Sequence, residues 1–403
     1  MAIELFTSKT DCCGCEACFN ICSNKAITMV PDGSGFMYPL INTDVCVECG
    51  LCKKVCQFRT AKISPTENVY VAAIRDNNQI MKAASGGIFS AAALSILSNR
   101  GVIFGATLTF SEGHANPHHI MIEKEDDLWR LQGSKYVQSR VGETYQQVKQ
   151  YLQQGRKVLY SGTPCQIAGL KGYLCKEYDN LYTMDLICHG VPSAELFDAY
   201  IQEKNKKYRG KVVQYRFRDK TYGWGMNSAI EVTNGRKTRV IYRRARTESY
   251  FTLFLDCKIY RENCYSCPFA RPERVSDITI GDYWGIEKAH PELSNNPDYD
   301  ESKGVSCVLV NTSKGHELFR LMQQKIHFMP SEFAKVAEKN GQLKVPSAIP
   351  VEREYIMDIY HKKGYNGVEN YFRAEYRKQI VMHTVYNTIP RKMRLKLKKI
   401  VKG

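Results

Sequence analysis

"DCCGCEACFNICSNKAI", residues 11–27, places five cysteines within eleven positions. Cys12, Cys15, Cys18 and Cys22 follow the rhythm C-x2-C-x2-C-x3-C. Such a run can form disulfides, bind zinc or hold an iron–sulfur cluster, and the rest of the chain weighs between them. No apolar run approaches the length needed to cross a bilayer. The N-terminus, "MAIELFTSKTD", lacks a basic region followed by an apolar stretch, so a cytoplasmic protein is expected. In that reducing compartment sixteen cysteines make a poor disulfide framework. Nine of them precede residue 57, none lies between 57 and 164, and seven follow. Two separate cysteine chemistries are implied.

The rhythm returns in "CVECGLCKKVC" as Cys46, Cys49, Cys52 and Cys56. Between the runs, "AITMVPDGSGFMYPLINTD" reads as a hairpin about a "PDGSG" turn. Two-residue gaps let a chain curl around a metal–sulfide cube with three thiolates inward and backbone N–H groups facing the sulfurs. Zinc prefers four ligands in two C-x2-C halves, which eight cysteines in two matching runs do not resemble. The paired runs are similar to those of bacterial two-cluster ferredoxins. That resemblance implies that the first three cysteines of a run hold one cluster and the fourth ligates the other. One [4Fe–4S] cluster would then take Cys12, Cys15, Cys18 and Cys56, and the second Cys46, Cys49, Cys52 and Cys22. Cys13 reads as a spare, non-ligand thiol.

Residues 1–60 are therefore expected to be a small ferredoxin-type domain. The polar "QFRTAKISPTEN" reads as a linker. Beyond it, strand-like "VYVAAIR", "VIFGATLT", "HHIMIEK", "KVLYSG" and "LYTMDLI" alternate with helix-like "SGGIFSAAALSILSNRG", "VGETYQQVKQYLQQG" and "TPCQIAGLKGYL". Residues 211–243 alternate differently and predict an antiparallel insert. "DITIGDYWG" and "VSCVLVNT" predict further strands, and "KGHELFRLMQQK" a helix. The expected fold class is α+β: the small cluster domain, a larger mixed α/β flavin-binding domain over 68–345, and a polar helical tail over 346–403.

The second cysteine group comprises "SGTPCQIAG" around Cys165, "DLICHGVPS" around Cys188, and "ENCYSCPFA" with Cys264 and Cys267. The first two fall where strands end, the edge of an α/β sheet at which ligands gather. Cys165 is open to three readings: a cluster ligand, a nucleophile at a helix N-terminus with His189 as base, or a buried structural thiol. With "SGGIFSAAA", "GSKYVQS", "YSGTPCQIAGLKG" and "CYSCPFARPERVSDITIGDYWG", in order over roughly 68–310, these stretches resemble the coenzyme F420 hydrogenase/dehydrogenase beta-subunit family. The resemblance implies FAD, a third [4Fe–4S] cluster on Cys165, Cys188, Cys264 and Cys267, and electron exchange with F420. Cys257 is the first substitute ligand. Flavin contacts carried over by the same resemblance are Ser85, Gly86, Gly87, Ser134, Lys135, Tyr136, Ser161, Gly162 and Thr163. Glycines at a helix N-terminus also allow backbone N–H groups to approach a pyrophosphate.

The formal charge is +16, and the last thirteen residues, "RKMRLKLKKIVKG", carry seven positive charges and no negative one. Three oxidised four-thiolate clusters would lower the total to roughly +10. The balance suits an acidic small molecule, an acidic redox partner or an anionic membrane surface. No nucleic-acid-binding motif is present, and no nucleic-acid partner is expected. Met393, Leu397, Ile400 and Val401 fall on one face after Pro390, as in an interfacial helix. His114, His118 and His119 read as a turn, Arg243, Arg244 and Arg246 as a solvated face, Trp284 as core, and Asp277 and Asp282 as strand terminators. The expected function is an iron–sulfur flavoprotein oxidoreductase passing electrons through FAD to F420 or a similar acidic low-potential acceptor, with a ferredoxin-like or other redox partner. The alternatives are an electron-transfer subunit serving a partner enzyme and a non-catalytic, biosynthesis-associated member of the fold.

Overall fold

The computed structural model describes residues 4–58, 60–294 and 296–388. At the front, α1 (Ala17–Ile21) and α2 (Leu51–Lys54) flank the expected hairpin of β1 (Ile27–Pro31) and β2 (Met37–Ile41), which pair antiparallel. Asp32 closes its turn by accepting N–H bonds from Ser34 and Phe36, each at 2.9 Å.

The next strands are β3 (Asn68–Ile74), β4 (Val102–Ser111), β5 (His114–Ile122), β6 (Val158–Gly162) and β7 (Leu181–Leu186). The insert supplies β8 (Lys211–Arg216), β9 (Asn227–Thr233) and β10 (Thr238–Arg244), a separate antiparallel sheet as expected. Then come β11 (Ile278–Asp282), β12 (Ser306–Val310) and β13 (Ile326–Ser331). Outside the insert these strands form one eight-stranded mixed sheet in the order β13-β3-β12-β11-β7-β6-β4-β5. Its central β11, β7, β6 and β4 run parallel, so their C-terminal ends open on one edge.

The helices after α2 are α3 (Asn77–Lys82), α4 (Ile88–Leu97), α5 (Thr144–Gln153), α6 (Pro164–Leu174) and α7 (Ala194–Tyr208). They continue as α8 (Ser249–Leu255), α9 (Ile286–Ala289), α10 (Ser313–Met322), α11 (Phe333–Lys339), α12 (Arg353–Glu375) and α13 (Arg377–Thr388). Helix α4, "IFSAAALSIL", is apolar and small all round, and eight of its residues are buried. Helix α6 starts at Pro164 behind a capping box of Thr163 and Gln166, which fixes Cys165 in the first turn. Helix α7 was not anticipated, although Ser193 caps it by accepting from Leu196 N–H.

Three apolar clusters share the interior. One fills the faces of the large sheet. A second is aromatic, with Phe197, Tyr200, Tyr215, Phe217 and Tyr250 wedged between α7, α8 and the insert. The third joins Ala17, Val55 and Phe58 of the front segment to Tyr145, Tyr160 and Ile167 of the sheet layer. The cysteine-rich front is therefore packed into the body.

"HANPHH" is not a turn: it opens β5, with the turn one residue earlier at Gly113 (φ 82°). Pro117 is tolerated because β5 is the sheet edge. Adjacent His118 and His119 point to opposite faces, and His114 hydrogen-bonds Asp198 at 2.8 Å, so the three do not converge. Pro390, Met393, Leu397, Ile400 and Val401 lie outside the described residues. Among the described residues no helix is long and apolar enough to cross a membrane.

Candidate functional site

Both cysteine runs fold by one local device. In the first, Gly14 and Glu16 flank Cys15 with φ of 66° and 62°; in the second, Glu48 and Gly50 flank Cys49 with φ of 52° and 74°. This left-handed pair reverses the chain on either side of the middle cysteine and turns all three thiols to one side. A short helix contains the third cysteine of each run, α1 in the first and α2 in the second. Cys12, Cys15, Cys18 and Cys56 line one small cavity, and Cys22, Cys46, Cys49 and Cys52 line another. The fourth cysteine of each run thus stands with the other run's first three. Backbone N–H groups do face sulfur: Ala26 N–H donates to Cys22 Sγ at 3.3 Å.

Neither set is uniformly buried: Cys12, Cys15 and Cys18 of the inner set are half-buried and Cys56 is exposed, and Cys52 of the outer set is buried. Burial pushes the Cys12 thiol up to about 11, with Arg261 opposing, and raises Cys18 further. In the outer set Cys49 is exposed. Among the described residues no three Cys, His, Asp or Glu side chains converge as ligands of a single metal ion. A four-iron cube spreads its thiolates more widely than one ion does.

A third set forms at the ends of β6, β7 and the Cys264–Cys267 loop. Burial drives the Cys188 thiol well up, and Cys264, Cys165 and Cys267 around it push in the same direction. Cys257 stands by Tyr260, a ring that Cys188 and Cys264 also approach. Cys13 stands between the sets: its neighbours Cys15 and Cys165, with burial, hold its thiol well above the ordinary value. Two glycines of α6 make this approach possible. A Cβ on Gly169 would lie 2.9 Å from Cys15 Sγ, and one on Gly172 would lie 2.2 Å from the Val55 carbonyl. Glu16 anchors the same seam, buried, with Arg140 as its ion-pair partner and Gly142 N–H donating at 2.6 Å.

Beside the third set lies a cavity of about 360 Å³ at the C-terminal edge of the parallel strands, and Cys165 is part of its wall. Ser85, Gly87, Ser134, Lys135, Tyr136, Ser161, Gly162 and Thr163 all line it. Gly86 does not line it. Its N–H donates to Ser306 Oγ at 2.9 Å, and a Cβ there would lie 2.5 Å from the Ala72 carbonyl, so it is a packing glycine. Gly87 (φ 80°) opens α4, and the N-termini of α4 and α6 both face the cavity. Partial positive charge is thereby concentrated at two places on one wall.

Residues 155–334 match the family model for the C-terminal part of the coenzyme F420 hydrogenase/dehydrogenase beta subunit. This region is similar to that beta-subunit family. Residues 11–60 match the 4Fe-4S dicluster domain, which supports iron–sulfur clusters in the front segment. A solved structure of the F420-reducing [NiFe] hydrogenase complex from Methanosarcina barkeri is similar over 80% of this chain and 94% of that one, at 15% identity and a TM-score of 0.42. Comparison with curated proteins finds no match.

The cavity holds groups that sequence reasoning missed or misread. Asp282 is not merely a strand terminator. It pairs with buried Arg218 at 2.7 Å, and Arg218 also donates to Tyr136 OH at 3.0 Å. Trp284 is not sealed in the core: it lines the cavity and stacks on Trp224 with centroids 4.6 Å apart. Arg218 reaches this wall from the insert, and no local spacing in "YRFRDK" marks it. Lys135 directs its Nζ to the carbonyls of Leu131 at 2.8 Å and Gln132 at 2.9 Å, and burial lowers it to about 7. Lys220 likewise bonds the Ile80 and Ser85 carbonyls at 2.6 and 2.8 Å. Asp277 accepts from Thr183 N–H and Thr312 Oγ1, each at 2.8 Å, and is structural. Cys165 bonds Thr163 Oγ1 at 3.2 Å, and neighbouring Cys13 lowers its thiol to about 7.

Proposed function

We propose that this chain is an iron–sulfur flavoprotein oxidoreductase with three [4Fe–4S] clusters, FAD, and coenzyme F420 or a similar acidic low-potential compound as its hydride partner. A single contact chain carries the reading. Cys15 of the inner front set packs against Gly169 of α6, Cys13 has Cys15 and Cys165 as neighbours, and Cys165 lines the large cavity. Cys12, Cys15, Cys18 and Cys56 would hold one cluster, Cys22, Cys46, Cys49 and Cys52 a second, and Cys165, Cys188, Cys264 and Cys267 a third. Bound clusters relay single electrons, and a bound flavin collects two for transfer as hydride.

The residues of the cavity fit a flavin nucleotide. Gly87 and Gly162 line the cavity beside two helix N-termini, where phosphate oxygens are favoured. Trp284 and Tyr136 offer flat apolar surface, and Arg218, fixed by Asp282, supplies a permanent positive charge. Lys135 braces the 130–135 wall through the carbonyls it holds.

The outer front set favours the companion reading of an electron-delivering subunit. Leu40, Val45, Val47 and Leu51 are exposed around Cys49, an apolar rim on which a redox partner can seat close to the outer sulfurs. Anaerobic reconstitution of the full chain with iron, sulfide and flavin counted per chain tests the proposal. About four irons per cluster, hence about 12, and about one flavin are expected. Iron without flavin would reject the flavoprotein, and a colourless zinc protein would reject the clusters. F420 reduction by the chain alone supports the enzyme; reduction only after a partner subunit is added supports the delivering subunit.

A further inference from the structure

Arg261 stands three residues before Cys264, and its side chain is 0% exposed. It rises from the beta-subunit region and ends inside the front module. Nε donates to the Cys12 carbonyl at 3.0 Å, Nη2 to the Met37 carbonyl at 3.1 Å, and Nη1 to Gln138 Oε1 at 3.3 Å. Nη2 also lies 3.9 Å from Cys12 Sγ, and the guanidinium sits 4.0 Å from the Tyr38 ring centroid. Apart from that thiol, every acceptor is a neutral oxygen. Among the described residues no carboxylate forms an ion pair with it. Arg218 and Arg274, also buried, differ: they have Asp282 at 2.7 Å and Asp185 at 3.4 Å. Arg353 bonds only the Tyr260 carbonyl but keeps 9% exposure.

A guanidinium sealed from water without a counter-charge is strongly unfavourable. The groups around Arg261 that can become negative are thiols. Its field acts on Cys12, from the inner front set, and on Cys165 and Cys264, from the third set. None of the hydrogen bonds that Arg261 donates reaches a cysteine of the outer set. We infer that Arg261 is the counter-charge shared by the inner front cluster and the third cluster, holding both reduction potentials up. The inference rests on the three-cluster reading. A cluster gaining an electron gains negative charge, and a fixed cation in a low-dielectric seam favours that form. One side chain serving two clusters raises both together, which keeps the step between them small. Arg261 is a positioning residue in this role: it sets electrostatics and touches no substrate.

The test is a redox titration, read by electron paramagnetic resonance, of the reconstituted full chain, with iron counted for each variant. Arg261→Gln is expected to lower the reduction equilibrium constants of two clusters by about tenfold or more, about 59 mV per tenfold for one electron. The outer cluster should stay unmoved, and Arg261→Lys should recover most of the loss. Gln138→Glu gives the guanidinium a carboxylate while leaving Arg261 in place, and should shift the same two clusters the same way. A variant with full iron and unmoved potentials overturns the inference. Loss of iron from all three variants assigns Arg261 to module packing alone and also overturns it. Too little iron in the unaltered chain instead rejects the three-cluster reading.

Discussion

The insert side and the sulfur seam are both buried, but they balance charge differently. On the insert side, polypeptide answers polypeptide: Glu248 has Lys204 at 2.7 Å and Tyr200 OH at 2.6 Å, and Arg218 has Asp282. In the seam Glu16 also has Arg140, but the buried Arg261 meets only carbonyls, an amide oxygen and the Cys12 thiol, and two glycines bring Cys15 and the Val55 carbonyl against α6. Mutations on the insert side should therefore act on folding with or without iron. Mutations in the seam should act through the iron.

The sharpest break of that contrast is Arg218→Met. It strands Asp282, and the chain should lose about 3–5 kcal/mol in urea denaturation, equally with and without iron. Glu248→Gln should cost about 3 kcal/mol at neutral pH by the same measurement. The carboxyl of Glu248 is lowered although burial opposes, because Lys204 and Tyr200 hold its charged form. Its contribution is thus fully present above the ordinary carboxyl value, about 4.3, and is lost as pH falls through the lower folded value. The gap between the wild type and Glu248→Gln should close in acid. Gly172→Ala should cost about 1–3 kcal/mol, since the Val55 carbonyl must move, and it should also lower retained iron. Thr163→Ala removes the α6 cap and should cost about 1 kcal/mol by thermal unfolding.

The legible parts of the molecule were those whose logic is local. Cysteine gaps of two residues, the helix start at "TPCQIAGLKGYL" and the strand–helix alternation are all visible within a dozen residues, and each stands where it was expected. Legibility fails where partners are remote. Arg218 meets Asp282 64 residues on, and Arg261 meets Cys12 249 residues back. Cys13 looked superfluous because its neighbour Cys165 arrives from another part of the chain. Gly86 shared a motif with Gly87, but only the fold reveals that one faces β-strand backbone and the other the cavity. "HANPHH" misled because proline suggests a turn unless the strand is known to be an edge.

The bare flank of α6 has a mechanical consequence. With the Val55 carbonyl and Cys15 lying where side chains of Gly172 and Gly169 would otherwise be, nothing remains between the two bodies that could act as a bearing. A swinging ferry would have to tear that seam open on every stroke. The front of the chain is built instead as fixed wiring, and whatever brings charge to it must travel to an exposed thiol, Cys49 or Cys56, and leave again.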